Sequence, residues 1–160
     1  MENAVQLDWV ALFKRYVGDD VRTPYFVAVE RMSRVQANYE LFTYTVLLAV
    51  LFGVVGVASL SPSLPHGDTV VVSIYAFIVA GSAVAFGITK SPVAGAVCAS
   101  APVGVLLYFM TFGFHPDAAT GDKLIQIVIV LLWLRYSWRV VKIGRAYPTL
   151  PLAHPEKTEP

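Results

Sequence analysis

This chain reads as an all-α, polytopic membrane protein: four transmembrane helices in two hairpins, preceded by amphipathic interfacial helices. Three observations point there. Four apolar stretches of about twenty residues, at 41–60, 69–88, 93–113 and 124–141, match the length needed to cross a hydrocarbon core of roughly 30 Å. The 160 residues are 56% hydrophobic and only 14% charged, with a mean hydropathy of +0.62, far from the composition of a water-soluble domain. The cations, finally, are gathered on particular segments instead of being spread along the chain.

Residues 1–40 form the amphipathic segment. Over Val5 to Val17, Val5, Trp9, Leu12, Phe13 and Tyr16 fall on one helical face, with Asp8, Lys14 and Arg15 off it. Gly18-Asp19-Asp20 breaks that helix. Thr23-Pro24 then reads as N-cap and first position of a second one, where proline lacks only a donor that would be orphaned anyway. Its apolar stripe is Tyr25, Phe26, Val29 and Met32, with Glu30 and Arg34 set for an i,i+4 pair, and the helix is expected to run on into the first span. Both helices suit the plane of a membrane interface, or equally a face of the chain's own spans or of a partner.

The first span, Leu41 to Leu60, is followed by a turn from Ser61 to Asp68. The second, Thr69 to Ile88, opens on the β-branched run Val70-Val71-Val72, but twenty apolar residues between polar turns favour a crossing helix over a strand. Thr89-Lys90-Ser91-Pro92 makes a very short connection. The third span, Val93 to Gly113, is rich in small residues, and Pro102 inside it predicts a kink. After the loop from Phe114 to Lys123, the fourth segment is uninterruptedly apolar from Leu124 to Leu134. It then continues as a basic helix carrying Arg135, Arg139, Lys142 and Arg145, with Trp133, Tyr136 and Trp138 as an aromatic belt. Residues 144–160 form a basic, then proline-rich tail, extended from Tyr147 onward.

Orientation follows from the cations. Residues 1–40 hold five Lys and Arg, the Lys90 turn one, and residues 135–160 five, against Lys123 alone on the other side. The positive-inside rule then puts both termini and the Lys90 turn in the cytoplasm, or in the matrix of a mitochondrion. The N-terminus has no uninterrupted apolar core of a signal peptide and too many acids for a transit peptide, so the spans themselves are expected to direct insertion.

Chemistry-bearing constellations are sparse. A net charge of +1 exerts no global pull on nucleic acid, and no nucleic-acid motif occurs. Cys98 is the single cysteine, which excludes an intrachain disulfide and reads as a small buried hydrophobe. His66 and His115 fall in loops on one side without ligand spacing, and His154 lies in the tail. Asp117 and Asp122 read as solvated loop acids. No enzyme activity, cofactor or metal is therefore expected. Arg135, about 16 Å along the helix from Leu124, has two readings: it snorkels to lipid phosphates, or it pairs with Glu40 at the inner end of the first span. Small residues four apart (Gly81 and Ala85, Gly95 and Ala99, Ala96 and Ser100) permit close helix approach, within the chain or to a partner.

The stretch Arg34 to Phe42, R-V-Q-A-N-Y-E-L-F, resembles a signature of the prenylated Rab acceptor family, with Arg34, Asn38 and Phe42 at the matching positions. Trp9 and Phe13, the Arg22-x-Pro24 element and the four-span layout are similar too, so that the resemblance covers about residues 9–140. The chain departs from the pattern at Thr45-Val46, in its short Lys90 turn and in its basic, proline-rich end. The resemblance implies a non-catalytic protein of the endoplasmic reticulum or Golgi that engages lipidated small GTPases or other trafficking proteins, alone or as an oligomer. Contacts with lipid or partner are then expected at Arg31, Arg34, Asn38, Phe42, Arg135, Arg139, Lys142 and Arg145. The rival expectation is an accessory subunit of a large membrane assembly, such as a respiratory complex or ATP synthase of the mitochondrial inner membrane.

Overall fold

A computed structural model describes residues 27–62, 69–114 and 117–152. The expected helix at Val5 to Val17, the start of the second amphipathic helix, the three histidines and the end of the tail lie outside these residues. Within them the chain is helical and contains no strand: α1 (Arg34–Ala58), α2 (Val70–Thr89), α3 (Pro92–Ala99), α4 (Ala101–Phe112) and α5 (Thr120–Ala146), with short 3₁₀ turns at Val29–Arg31 and Tyr147–Thr149. Counting α3 with α4, four helices are long and apolar enough to cross a membrane.

The start of α1 corrects one expectation. The second amphipathic helix does not run into the first span. Val29–Arg31 is a single 3₁₀ turn, and Met32 and Ser33 are extended. Ser33 is the N-cap: its hydroxyl accepts from the Gln36 N–H (3.3 Å), and the Gln36 side chain accepts from the Ser33 N–H (2.9 Å). This reciprocal box satisfies two donors that a helix start leaves orphaned, and it makes residues 34–40 the first turns of the spanning helix itself.

α1 and α2 pack along each other in opposite directions. A Cβ on Gly56 would stand 3.0 Å from the Phe77 ring, and one on Gly87 would stand 3.0 Å from the Thr45 hydroxyl, so position 56 is level with 77 and 45 with 87. At the far end the Thr69 N–H donates to the Ser59 carbonyl. At the near end Lys90 adopts the left-handed conformation (φ 55°) that stops α2, Ser91 follows extended, and Pro92 opens α3 at a helix start that tolerates it.

The third span is broken at Ser100. Pro102, in the first turn of α4, has no N–H to give the Cys98 carbonyl four residues back. That carbonyl instead accepts from the Tyr44 hydroxyl (3.3 Å), which also bonds Ser137 Oγ (2.9 Å). One phenol thus joins α1, α3 and α5 at a buried point. A second, Tyr75, bonds Ser100 Oγ (2.9 Å) and ties α2 to the break.

Phe86 is fully buried in close contact with Gly95 of α3 and Gly144 of α5, where an added Cβ would stand 3.0 and 2.9 Å from its ring. Around this narrow core, between 22% and 33% of each apolar window is buried. Leu47, Val71, Ile88, Val93 and Met110 lie on the outside. Helices apolar all round that show most of that surface are compatible with an integral membrane protein, because lipid removes the penalty water would impose.

Candidate functional site

Most of the charged side chains of the described residues lie toward one end of the bundle, the end of the Lys90 turn. Their centre is Glu40. α1 places it one turn before Tyr44, on the face that buries Ala37, Leu41 and Leu48, and its carboxylate is completely inaccessible. Arg139 of α5 meets it as a fork: Nε donates to Oε1 at 2.7 Å and Nη2 to Oε2 at 3.0 Å. Nη2 also reaches the Val27 carbonyl (2.8 Å) and the Met32 thioether (3.7 Å), drawing the segment before α1 onto the same cation. Two fixed planar groups in register make the strongest kind of ion pair.

Of the two readings of Arg135, the pairing with Glu40 does not form. The pairing falls instead on Arg139, one turn further along α5, and Arg135 is exposed. At 100° per residue these two cations differ by only about 40° in azimuth, so spacing could not choose between them. The choice follows from the seating of α5, which buries Ser137, Val140, Ile143 and Gly144 and turns Arg135, Trp138, Lys142 and Arg145 outward.

Arg34 and Asn38, singled out as partner contacts, hold the chain's own C-terminal segment. The Arg34 guanidinium donates to the Pro148 carbonyl (2.7 Å) and lies 5.9 Å from the centre of the Tyr147 ring. Its backbone N–H donates to the Pro151 carbonyl (2.8 Å), which satisfies a further orphan donor of the helix start. Tyr147 donates to Asn38 Oδ1 (3.0 Å), and Leu150 is buried beneath the strap. The expected pair of Arg34 with Glu30 does not form, and Glu30 is exposed. The tail is thus not simply extended from Tyr147: it makes a 3₁₀ turn and folds back on α1. Phe42, 63% exposed, and Arg31 remain outward.

In the Lys90 turn, the ammonium donates to the Gly87 carbonyl, and burial lowers its pKa from the ordinary lysine value. At the opposite end Asp122 accepts from the Ala119 N–H (3.2 Å), so this acid completes the start of α5. Among the described residues no three His, Cys, Asp or Glu side chains converge.

Sequence reasoning passed over Ser33, Tyr44 and Ser137. The first had a readable signal, Ser-x-x-Gln directly before an apolar run. The two hydroxyls had none, since a lone Tyr or Ser in a span reveals neither its azimuth nor its partner. No family model, curated protein or solved structure matches this chain.

Proposed function

We propose that this chain is a non-catalytic integral membrane protein that works by contact, as an adaptor in vesicle trafficking or membrane shaping, in the manner its resemblance to prenylated Rab acceptors implies. The observation that carries this reading is the use made of the polar groups at the Lys90 end. Glu40 and Arg139 engage each other, and Arg34 and Asn38 engage the strap, so these groups fasten a platform instead of waiting for a substrate. Phe42, Arg31, Lys142 and Arg145 stand exposed around it. With that end in the cytoplasm, as the cation distribution favours, the platform meets soluble or lipidated partners at the membrane surface, and the spans form two hairpins beneath it.

Capture from membranes tests this directly. The full-length chain in mild detergent is expected to retain prenylated small GTPases and to release them once the lipid is removed. Equal capture of unlipidated GTPases, or none, would overturn the trafficking reading. Protease applied to sealed vesicles is expected to reach both chain ends from the cytoplasmic side, and ends protected on opposite faces would overturn the topology.

One observation favours the second reading, a structural subunit of a larger membrane assembly. Gly81 and Ala85 lie a turn apart on the outer face of α2, and a Cβ on Gly81 would meet nothing within 4 Å. Small residues so placed suit close approach by another protein's helix. Stoichiometric retention in a large oxidoreductase or ATPase would establish it in place of the first.

A further inference from the structure

We propose that the outer face of α5 holds one anionic glycerophospholipid, with an acyl chain seated between α5 and the break in the third span and its phosphate gathered by Arg135 and Lys142. The inference rests on the membrane reading above and adds a ligand to it.

Three features converge on that face. Leu131, Leu134, Arg135 and Trp138 line, with Ala99 across from them, an open groove of about 470 Å³. Room for it exists because Ala99, the last residue of α3, carries only a methyl group where the helix is interrupted. Arg135, Trp138, Lys142 and Arg145 then continue the same stripe at spacings of three, four and three, all exposed. The groove thus has an apolar floor, an indole and one cation, Arg135; Lys142 and Arg145, further along the same stripe, line the next cleft together with Glu30.

Depth makes Arg135 demand an anion. Gly144 abuts the Phe86 ring and lies near the Lys90 carbonyl, at the end of α2. Arg135 is nine residues back along α5, roughly 13 Å further into the apolar zone. A cation at such depth costs about 2.5–3.5 kcal/mol unless its head reaches water or a counter-charge. Arg139, one turn on, has Glu40; no carboxylate among the described residues forms an ion pair with Arg135, Lys142 or Arg145. From Arg135 to Lys142 the rise is about 10.5 Å, which an extended guanidinium and an ammonium can close from either side on a single phosphate. Guanidinium and phosphate match in geometry, and Trp138 suits the depth of a glycerol backbone. A phosphate tethered to an acyl chain fills both halves of this surface.

Native mass spectrometry of the full-length chain in mild detergent tests the assignment, with phosphatidylglycerol and phosphatidylcholine of identical acyl chains as probes. One tightly held phosphatidylglycerol is expected, preferred over phosphatidylcholine by about tenfold, the size of one charge-assisted contact. Arg135→Gln, at an exposed position that leaves the helix intact, is expected to abolish the preference. Ala99→Phe fills the groove without touching any charge and is expected to weaken retention of both lipids, which separates a seated lipid from an anion held by its headgroup alone. Lys123→Gln, at the other end of the bundle, is expected to change nothing. Equal retention of the two lipids by the wild-type chain, a preference that survives Arg135→Gln, or a lipid-free dimer covering this face would each overturn the proposal. A chain that inserts into bilayers yet shows no preference fails here alone, whereas one that does not insert fails the broader reading.

Discussion

Removing Arg139 should harm this protein far more than removing its partner's charge. Arg139→Met strips the fork from a carboxylate with no exposure and removes the one cation that pairs with Glu40 among the described residues. An orphaned buried member of such a pair typically costs about 3–5 kcal/mol. Glu40→Gln leaves a different remainder: the guanidinium is 22% exposed, keeps the Val27 carbonyl and can turn toward water, so the loss should be nearer 1.5–3 kcal/mol. For a chain of this size each kcal/mol corresponds to about 2–4 °C, which puts Arg139→Met about 6–20 °C below wild type. The double variant should lose much less than the sum of the two single losses, because it no longer strands a charge. Thermal unfolding in one fixed detergent, followed by circular dichroism, measures all four proteins. Equal losses from the two single variants, or strict additivity in the double, would refute the buried fork as the fastening of α1 to α5. Arg139→Lys adds a finer check: the charge is kept and the bidentate geometry lost, so it should fall between wild type and Arg139→Met.

Four more outcomes follow from the packing. Gly144→Val should cost about 1–3 kcal/mol by forcing the Phe86 ring aside, whereas Gly81→Ala should leave stability unchanged or raise it by up to ~1 kcal/mol; the same melting assay compares them. Tyr44→Phe should cost about 1–2 kcal/mol and speed amide exchange near Ser100, since the Cys98 carbonyl and the Ser137 hydroxyl both lose the phenol that joins them. Truncation after Ala146 should accelerate amide exchange at Arg34 while leaving the α2 core protected, as read by exchange mass spectrometry. Burial lowers the Lys90 pKa in the folded chain, so the folded state binds fewer protons and stability rises with pH between that lowered value and the ordinary lysine range; Lys90→Met should therefore gain more over wild type at pH 7 than at pH 10.5.

The helices were legible because their signals are local. Apolar runs of spanning length, the Lys90 turn and Pro102 each act over a few residues, and α2 to α5 fall close to where those signals put them, while α1 begins earlier, at Arg34, cut off from the helix expected before it. Glu40 was legible as well, being the only acid at the inner edge of an apolar run. Its partner was not, because Arg135 and Arg139 share almost one azimuth and their separation is decided by contacts that Ser137, Val140 and Gly144 make with other helices. The roles of Arg34 and Asn38 were hidden for a related reason: the groups they hold lie more than a hundred positions away, in a proline-rich stretch whose composition announces extension and says nothing of return. Ser33 is the exception, a missed local signal.

The Pro151 carbonyl accepts the leading amide of α1, and the Pro148 carbonyl holds the Arg34 side chain from 114 positions away. During synthesis that amide therefore finds its partner only once residue 151 has been added, so the start of the earliest spanning helix is fastened after every helix that packs on it has been made.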